Sequence, residues 1–201
     1  MSHETSLPPF DHSAQTLKRL CNALDTAFAQ SADAADPSQR AAFALSIRKA
    51  LAQAAAHPVL LAPAQREGSG ESYRRHLLAS DPHGRYAIAA LVWMPGQASP
   101  VHAHRTWCGY AVLDGALSET VYEWNEPQQR AAETRSHPRA RGAVSFVRAG
   151  HSGIHRLGNT GGAPAVSLHI YGVEGSEIGT HVNDLLEAAD RAQPIVEPAV
   201  A

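Results

Sequence analysis

The chain predicts a mainly β fold, a sandwich or small barrel with packed helices in front of it, and three observations carry that expectation. The first third places apolar residues at helical spacing. Everything after Gly68-Ser69-Gly70 breaks into short extended runs separated by turn residues. Hydrophobic residues make up 44% and charged residues 18% of the 201, enough to bury a core without disulfides or a structural metal.

The first helix is expected over residues 11–29, where Leu17, Leu20, Cys21, Leu24 and Phe28 share one stripe and Cys21 serves as a small core residue. A second helix is expected to open at Asp36-Pro37, with Asp36 as N-cap, Pro37 at the first helical position and Gln39 closing a capping box. Its buried face would be Phe43, Ile47, Ala50 and Leu51, and His57-Pro58 would end it. Strands are expected at 73–79 and 85–94, joined by a hairpin turn at Asp81-Pro82-His83-Gly84. Further strands follow at 101–103, 108–113, 117–124, 143–147, 153–157 and 166–171. The expected organisation is one domain over 1–201: a helical region at 1–70, a barrel at 71–192 and a poorly ordered tail at 193–201.

A net charge of −2 gives no reason to expect nucleic acid or an anionic membrane as partner. Two cysteines, Cys21 and Cys108, make no disulfide framework and fit a reducing cytosol. The N-terminus has neither a basic region nor an apolar run of the signal-peptide kind, and no segment approaches the length of a membrane span. The expectation is a cytoplasmic protein, a monomer or weak homo-oligomer. Twelve histidines give the one positive hint of chemistry.

His102 and His104 are two residues apart, so on a strand both imidazoles leave the same face, roughly 7 Å apart at the backbone. Two converging neutral imidazoles suit Fe, Zn, Cu or Ni better than Mg or Ca, although the same pair could be a satisfied polar pair on a half-buried strand. Upstream stands Gly96, and downstream stand Cys108 and Gly115. A second unit comprises Gly142, Arg148-Ala149-Gly150, His155 and Asn159.

The two units together resemble the paired motifs of the cupin superfamily, which implies a double-stranded β-helix, a jelly-roll barrel with the N-terminal α-helices packed on it. Gly96, His102, His104 and Gly115 keep the first motif's spacing, but Cys108 stands where that pattern has a glutamate ligand. In the second motif Gly142, Gly150, His155 and Asn159 match, Arg148 replaces a proline, and the loop before His155 is two residues longer. The resemblance implies a metal held by His102, His104 and His155. Three neutral imidazoles leave the 2+ charge of the ion uncompensated, which favours an anionic substrate in its coordination sphere.

That departure is similar to the thiol dioxygenases, above all cysteine dioxygenase, which hold Fe(II) on three histidines and have a cysteine at the position of Cys108. Ser167, His169 and Tyr171 alternate on one strand face and resemble the Ser-x-His-x-Tyr strand of that family, hydrogen-bonded in a row beside the iron. The resemblance implies that Tyr171 lies beside Cys108, where the family can form a thioether crosslink, and that Tyr171, oriented by His169, donates to bound oxygen or substrate. Tyr73 and Arg75 resemble the family's carboxylate clamp, a guanidinium being a natural bidentate partner of a carboxylate. Arg74 or Arg156 could supply that clamp instead, and a register slip of one residue would exchange Arg74 for Arg75. Trp93 and Trp107 are expected as core or pocket wall, and His151 in a loop.

The implied function is oxidation of L-cysteine with O2 to cysteine sulfinate on Fe(II), with no organic cofactor because the thiol supplies all four electrons. Mercaptopropionate (the 3-isomer) and mercaptosuccinate are alternative substrates. A metal-binding cupin acting as sensor or storage module, or a zinc-loaded isomerase, is an alternative of another class.

Overall fold

The computed structural model describes residues 12–189, so Asp11 and the tail expected at 193–201 lie outside the described residues. Among the described residues, two helices precede ten strands. Helix α1 spans His12–Ala29 and α2 spans Ala41–Ala56. The strands are β1 (Arg74–Ser80), β2 (Ala87–Trp93), β3 (His102–His104), β4 (Cys108–Asp114), β5 (Ala116–Asn125), β6 (Arg130–Ala140), β7 (Val144–Val147), β8 (Gly150–Gly158), β9 (Ala165–Tyr171) and β10 (Asn183–Leu185). They form two five-stranded sheets, β1-β2-β9-β4-β7 and β10-β3-β8-β5-β6, with every strand pair antiparallel. From β2 to β5 successive strands alternate between the sheets, and so do those from β6 to β10, which is the winding of a double-stranded β-helix. No helix among the described residues is long and apolar enough to cross a membrane.

The first sheet is covered on both faces, which is why β2 and β9 are buried along their whole length. Strand alternation sorts their residues. Ile88, Ala90 and Val92 of β2 and Val166, Leu168 and Ile170 of β9 join Phe43, Ile47 and Leu51 of α2 in one core. Ala87, Ala89, Leu91 and Trp93, with Ala165 and Tyr171, face the barrel interior. The helices are thus the outer wall of the sheet whose inner wall carries the site. Gly109 of β4 shows how close they come: a Cβ there would lie 2.9 Å from Leu51 Cδ1.

Phe43 is the centre of this wall. It is 1% exposed and meets Phe28, Trp107 and Phe146 edge-on at centroid distances of 5.0, 5.3 and 6.3 Å. Phe43→Ala is expected to destabilise the fold by about 3–5 kcal/mol, read as a lower urea midpoint with an unchanged m-value.

The second helix begins later than Asp36-Pro37 suggests. Asp36 caps a separate 3₁₀ turn, Pro37–Gln39, by accepting from Ser38 N, and α2 starts at Ala41 behind Arg40. Gln39 Nε2 donates to the Asp36 carboxylate instead of its side-chain oxygen accepting from the Asp36 backbone N–H, so no capping box forms. Arg148 holds the turn by donating to the carbonyls of Ser38 and Gln39, a role that a proline at that position could not fill. The turn at Asp81–Gly84 forms as expected, with Gly84 at φ 70° and Asp81 accepting from Arg85. Gly96, Gly115, Gly142 and Gly150, the glycines of the two motif units, all sit at positive φ, which accounts for their residue type. Two strands, β6 and β10, were not expected. His151 lies on β8 rather than in a loop, its ring 4.7 Å from that of Trp124.

Candidate metal centre

Two short strands bring three imidazoles together. On β3 the alternation that turns Ala103 away sends His102 and His104 into the barrel. His155 comes from β8 directly opposite His102, and the register then shifts, so that His104 stands opposite Gly150. The three rings lie at centroid distances of 4.7, 4.9 and 5.1 Å. Each offers a nitrogen, and those nitrogens fall within 4.8 Å of one another; His104 Nε2 and His155 Nε2 are 3.1 Å apart. All three side chains are buried.

The hydrogen bonds around the rings leave the right lone pairs free. His102 Nδ1 faces the carbonyl of Pro100 at 3.0 Å, and a carbonyl only accepts, so Nδ1 carries the proton and Nε2 does not. His155 Nδ1 faces the Glu119 carboxylate at 2.8 Å, with the same consequence. His104 Nδ1 is buried and makes no hydrogen bond of good geometry, with the Val182 backbone as its polar neighbour. Burial, reinforced by the nearby His155, pushes His102 down to about 4, and burial likewise holds His104 well below its ordinary value. Both are therefore neutral near pH 7. Three buried imidazoles with convergent ring nitrogens, His102 and His104 held neutral, fit a borderline divalent transition metal.

Ser167, His169 and Tyr171 occupy the inner face of β9 and are linked in a row. Trp93 Nε1 donates to Ser167 Oγ at 2.9 Å; Ser167 Oγ meets His169 Nε2 at 2.8 Å; His169 Nδ1 meets the Tyr171 hydroxyl at 3.1 Å. An indole nitrogen can only donate, so Ser167 Oγ accepts from Trp93, and a neutral His169 donates from one ring nitrogen and accepts at the other as it bridges Ser167 and Tyr171. Burial holds His169 well below its ordinary pKa, keeping it neutral, and raises the pKa of Tyr171. Cys108, a free thiol that is 1% exposed, pairs in register with Tyr171 across β4 and β9. Burial pushes its pKa up, so it is a thiol and not a thiolate.

One of the three candidate arginines reaches the cavity. Arg75 lines it together with Tyr73, Trp93, the three histidines, His169 and Tyr171. Its Nη1 donates to the carbonyl of Ile178 at 2.8 Å, while its buried Nε has no hydrogen-bond partner. Arg74 is exposed, and Arg156 lies on a separate outer groove beside Gly96 and Thr160. Tyr73 stacks on Trp93 at 4.4 Å and 26°. Trp93 is thus pocket wall and part of the row, whereas Trp107 belongs to the helix-side core.

Glu119 is the functional candidate that sequence reasoning missed. It is 6% exposed and accepts from metal-facing His155. Burial would raise its pKa, but hydrogen bonds from His155 and Tyr110 and the charge of Arg139 outweigh that and lower it, so it is a carboxylate. A signal was available: on alternating β5 a glutamate shares the inward face with Leu117.

The family model for cysteine dioxygenase type I matches residues 69–178, which includes every residue named in the cavity apart from Asn183. Cysteine dioxygenase type 1 of Rattus norvegicus is 30% identical over 101 residues, 49% of this chain and 50% of that protein, and the protein of the same name from Homo sapiens matches to the same extent. The chain therefore spans about half the length of these relatives. Among solved structures, TT1209 from Thermus thermophilus is 22% identical, with 56% of this chain and 96% of that one covered at a TM-score of 0.44. A double-stranded β-helix protein from Klebsiella pneumoniae is 14% identical, with 65% and 98% covered at a TM-score of 0.46. With more than half of its length matched by the family model, the chain belongs to the cysteine dioxygenase type I family.

Proposed function

We propose that this chain is a non-haem Fe(II) thiol dioxygenase that converts L-cysteine and O2 to cysteine sulfinate. The observation that carries the reading is the meeting, in one buried cavity, of three imidazoles, one guanidinium and a tyrosine hydroxyl at the end of a hydrogen-bond row. Family membership supports it. His102, His104 and His155 would hold the iron. When bound, Fe(II) supplies the redox centre at which a thiolate and O2 combine, and the thiol gives up the four electrons that reduce the oxygen.

The residues around that centre bind and orient. Arg75 takes the substrate carboxylate: its bond to Ile178 fixes the fork, and its unpartnered Nε is a donor in waiting. Tyr73 packs beside it against Trp93. Tyr171 donates into the cavity, with His169 and Ser167 behind it holding its hydroxyl in place. Cys108 pairs in register with Tyr171 and would be the partner for a thioether crosslink to its ring, the C–H and S–H bonds being replaced by C–S as O2 takes up the two electrons and two protons.

Among the described residues no aspartate or glutamate lines this cavity, so none of them pairs with an ammonium group there. That observation favours 3-mercaptopropionate, which has no amine to place, as the second reading. Mercaptosuccinate would need a second cation, and Arg75 is the one arginine among the described residues that lines the cavity. The reading brings with it a cytoplasmic, single-domain enzyme, monomeric or weakly self-associating, with a small thiol and O2 as partners and neither nucleic acid nor membrane.

The test is oxygen uptake by anaerobically Fe(II)-loaded protein, with L-cysteine and 3-mercaptopropionate at equal concentration. One sulfinate per O2, faster with L-cysteine, is the expected result. Faster uptake with 3-mercaptopropionate would transfer the assignment to that substrate. Iron-loaded protein that takes up no oxygen with either thiol would sink the reading.

A further inference from the structure

Glu119 stands outside the cavity and one hydrogen bond away from it. β5 runs beside β8 with Glu119 opposite Leu157 and Val121 opposite His155, so the carboxylate reaches the back of the His155 ring. Oε1 accepts from His155 Nδ1 at 2.8 Å. Oε2 faces two groups from β6, His137 Nε2 at 3.3 Å and the Arg139 guanidinium nitrogen Nε at 3.4 Å. The Arg139 guanidinium in turn lies over the ring of Tyr110, which stacks on His169.

We propose that Glu119 is a positioning residue for the metal: it holds His155 in the Nδ1–H tautomer and supplies, from just behind the ligand, the negative charge that three imidazoles lack. The inference rests on the reading of the three histidines as a metal centre and deepens it. An ionised carboxylate has no hydrogen to give, so the proton of the Glu119–His155 bond sits on Nδ1 and Nε2 keeps its lone pair. That Nε2 is the atom 3.1 Å from His104 Nε2, where the three rings converge. Carboxylates placed in this way fix the ring of a ligating histidine and raise its basicity. The glutamate that the cupin pattern would use as a direct ligand is Cys108 here, and a carboxylate charge returns on the neighbouring strand. Its field is retained while the coordination position it would have filled stays open for substrate.

Arg139 makes the proposal sharply testable. In Glu119→Gln the amide has the same shape, but its two ends differ. The guanidinium repels an NH2 group, so the carbonyl oxygen turns toward Arg139 and the NH2 turns toward His155 Nδ1. His155 must then accept at Nδ1 and carry its proton on Nε2, the metal-facing nitrogen. Removing the guanidinium as well, in Glu119→Gln/Arg139→Met, leaves His137 Nε2 facing that end of the side chain. Because an imidazole nitrogen, unlike a guanidinium, can accept from the NH2, the amide can turn over and restore an acceptor to His155.

The experiment is anaerobic titration of the full-length, metal-free chain with Fe(II), read by calorimetry, for the wild type, E119Q and E119Q/R139M. E119Q is expected to bind about 10–100-fold more weakly, and the double variant to recover a substantial part of that loss. E119Q binding within twofold of wild type would overturn the proposal, as would a double variant no tighter than E119Q. Nitrogen-15 NMR of the histidines in the wild-type metal-free chain is the second measurement and needs no variant to fold. His155 protonated on Nδ1 is expected, and His155 protonated on Nε2 would overturn the proposal. None of these measurements uses a thiol or oxygen, so wild-type protein that binds Fe(II) yet oxidises no thiol would overturn the activity reading alone.

Discussion

His104→Ala is expected to abolish thiol-dependent oxygen uptake and to lower Fe(II) affinity by more than about 100-fold, since losing a group that only orients a ligand already costs about 10–100-fold. His104 is the cleanest of the three to remove. His102 and His155 each carry a second bond, to Pro100 and to Glu119, whose loss would strand a carbonyl or a buried carboxylate. The Val182 carbonyl near His104 keeps its bond from Arg105 N when the ring is removed, so no partner is stranded. The fold should therefore survive, and iron content and oxygen uptake can be read on a well-folded protein. The pH dependence of stability gives an independent check. Burial depresses the folded pKa of His104 below 6.5, the value it regains on unfolding. Stability from such a group is fully present above that value and is lost as pH falls, because the unfolded chain then takes up a proton that the folded chain refuses. The metal-free wild type should lose stability below about pH 6.5, and His104→Ala should lose less. A variant that keeps stoichiometric iron and full turnover would remove His104 from the metal centre.

Arg75→Met is expected to lower kcat/KM for L-cysteine by about 100-fold or more, because truncating one partner of a buried charge pair costs about 2–5 kcal/mol. The loss should fall mainly on KM, with 2-mercaptoethanol, which has no carboxylate, affected little. Lysine should not rescue it, since an ammonium cannot reproduce the two parallel bonds of a guanidinium. Arg74→Met is the matched control. That side chain is exposed, so it should change kcat/KM by less than about twofold, within the usual range for surface substitutions. Were Arg74 to carry the large effect instead, the clamp would belong to it and β1 would sit in another register.

These two arginines also show what a sequence can and cannot disclose. Alternation told that Arg74 and Arg75 point to opposite sides, but not which side is inward, because a slip of one residue reverses both. The pairing of Arg75 with Leu91, whose side chain faces the interior, decides it, and that register depends on residues far along the chain. Ser167, His169 and Tyr171 were legible as a row because their spacing is local and lies within a strand of otherwise apolar residues. Glu119 was legible only as an inward carboxylate and not as the partner of His155, which is 36 residues away with the edge strand β6, almost without signal, between them. β6 is largely exposed and carries Pro138, as an edge strand tolerates, so neither apolar alternation nor β propensity marks it. The three residues of β10 are too few for any periodicity. Asp36-Pro37-Ser38-Gln39 shows a different limit: its helix-start chemistry was real, but it capped a single 3₁₀ turn, with Arg40 separating that turn from α2.

The shortness of β3 has a kinetic consequence. This three-residue strand carries two of the three histidines, and its outer flank is closed by β10 through the pairs Asn183–His104, Asp184–Ala103 and Leu185–His102. β10 is itself the rim of its sheet, with Leu185 63% exposed. Past that ladder the segment is tied on by Leu186 N to Val101 O and by bonds in both directions between Ala131 and residues Glu187 and Ala189, so its opening breaks a short run of bonds and is expected to need less than global unfolding. Such an opening would uncover the strand that carries two of the histidines and give a bound ion a route out. Amide hydrogen exchange along β10 and β3 would time it directly.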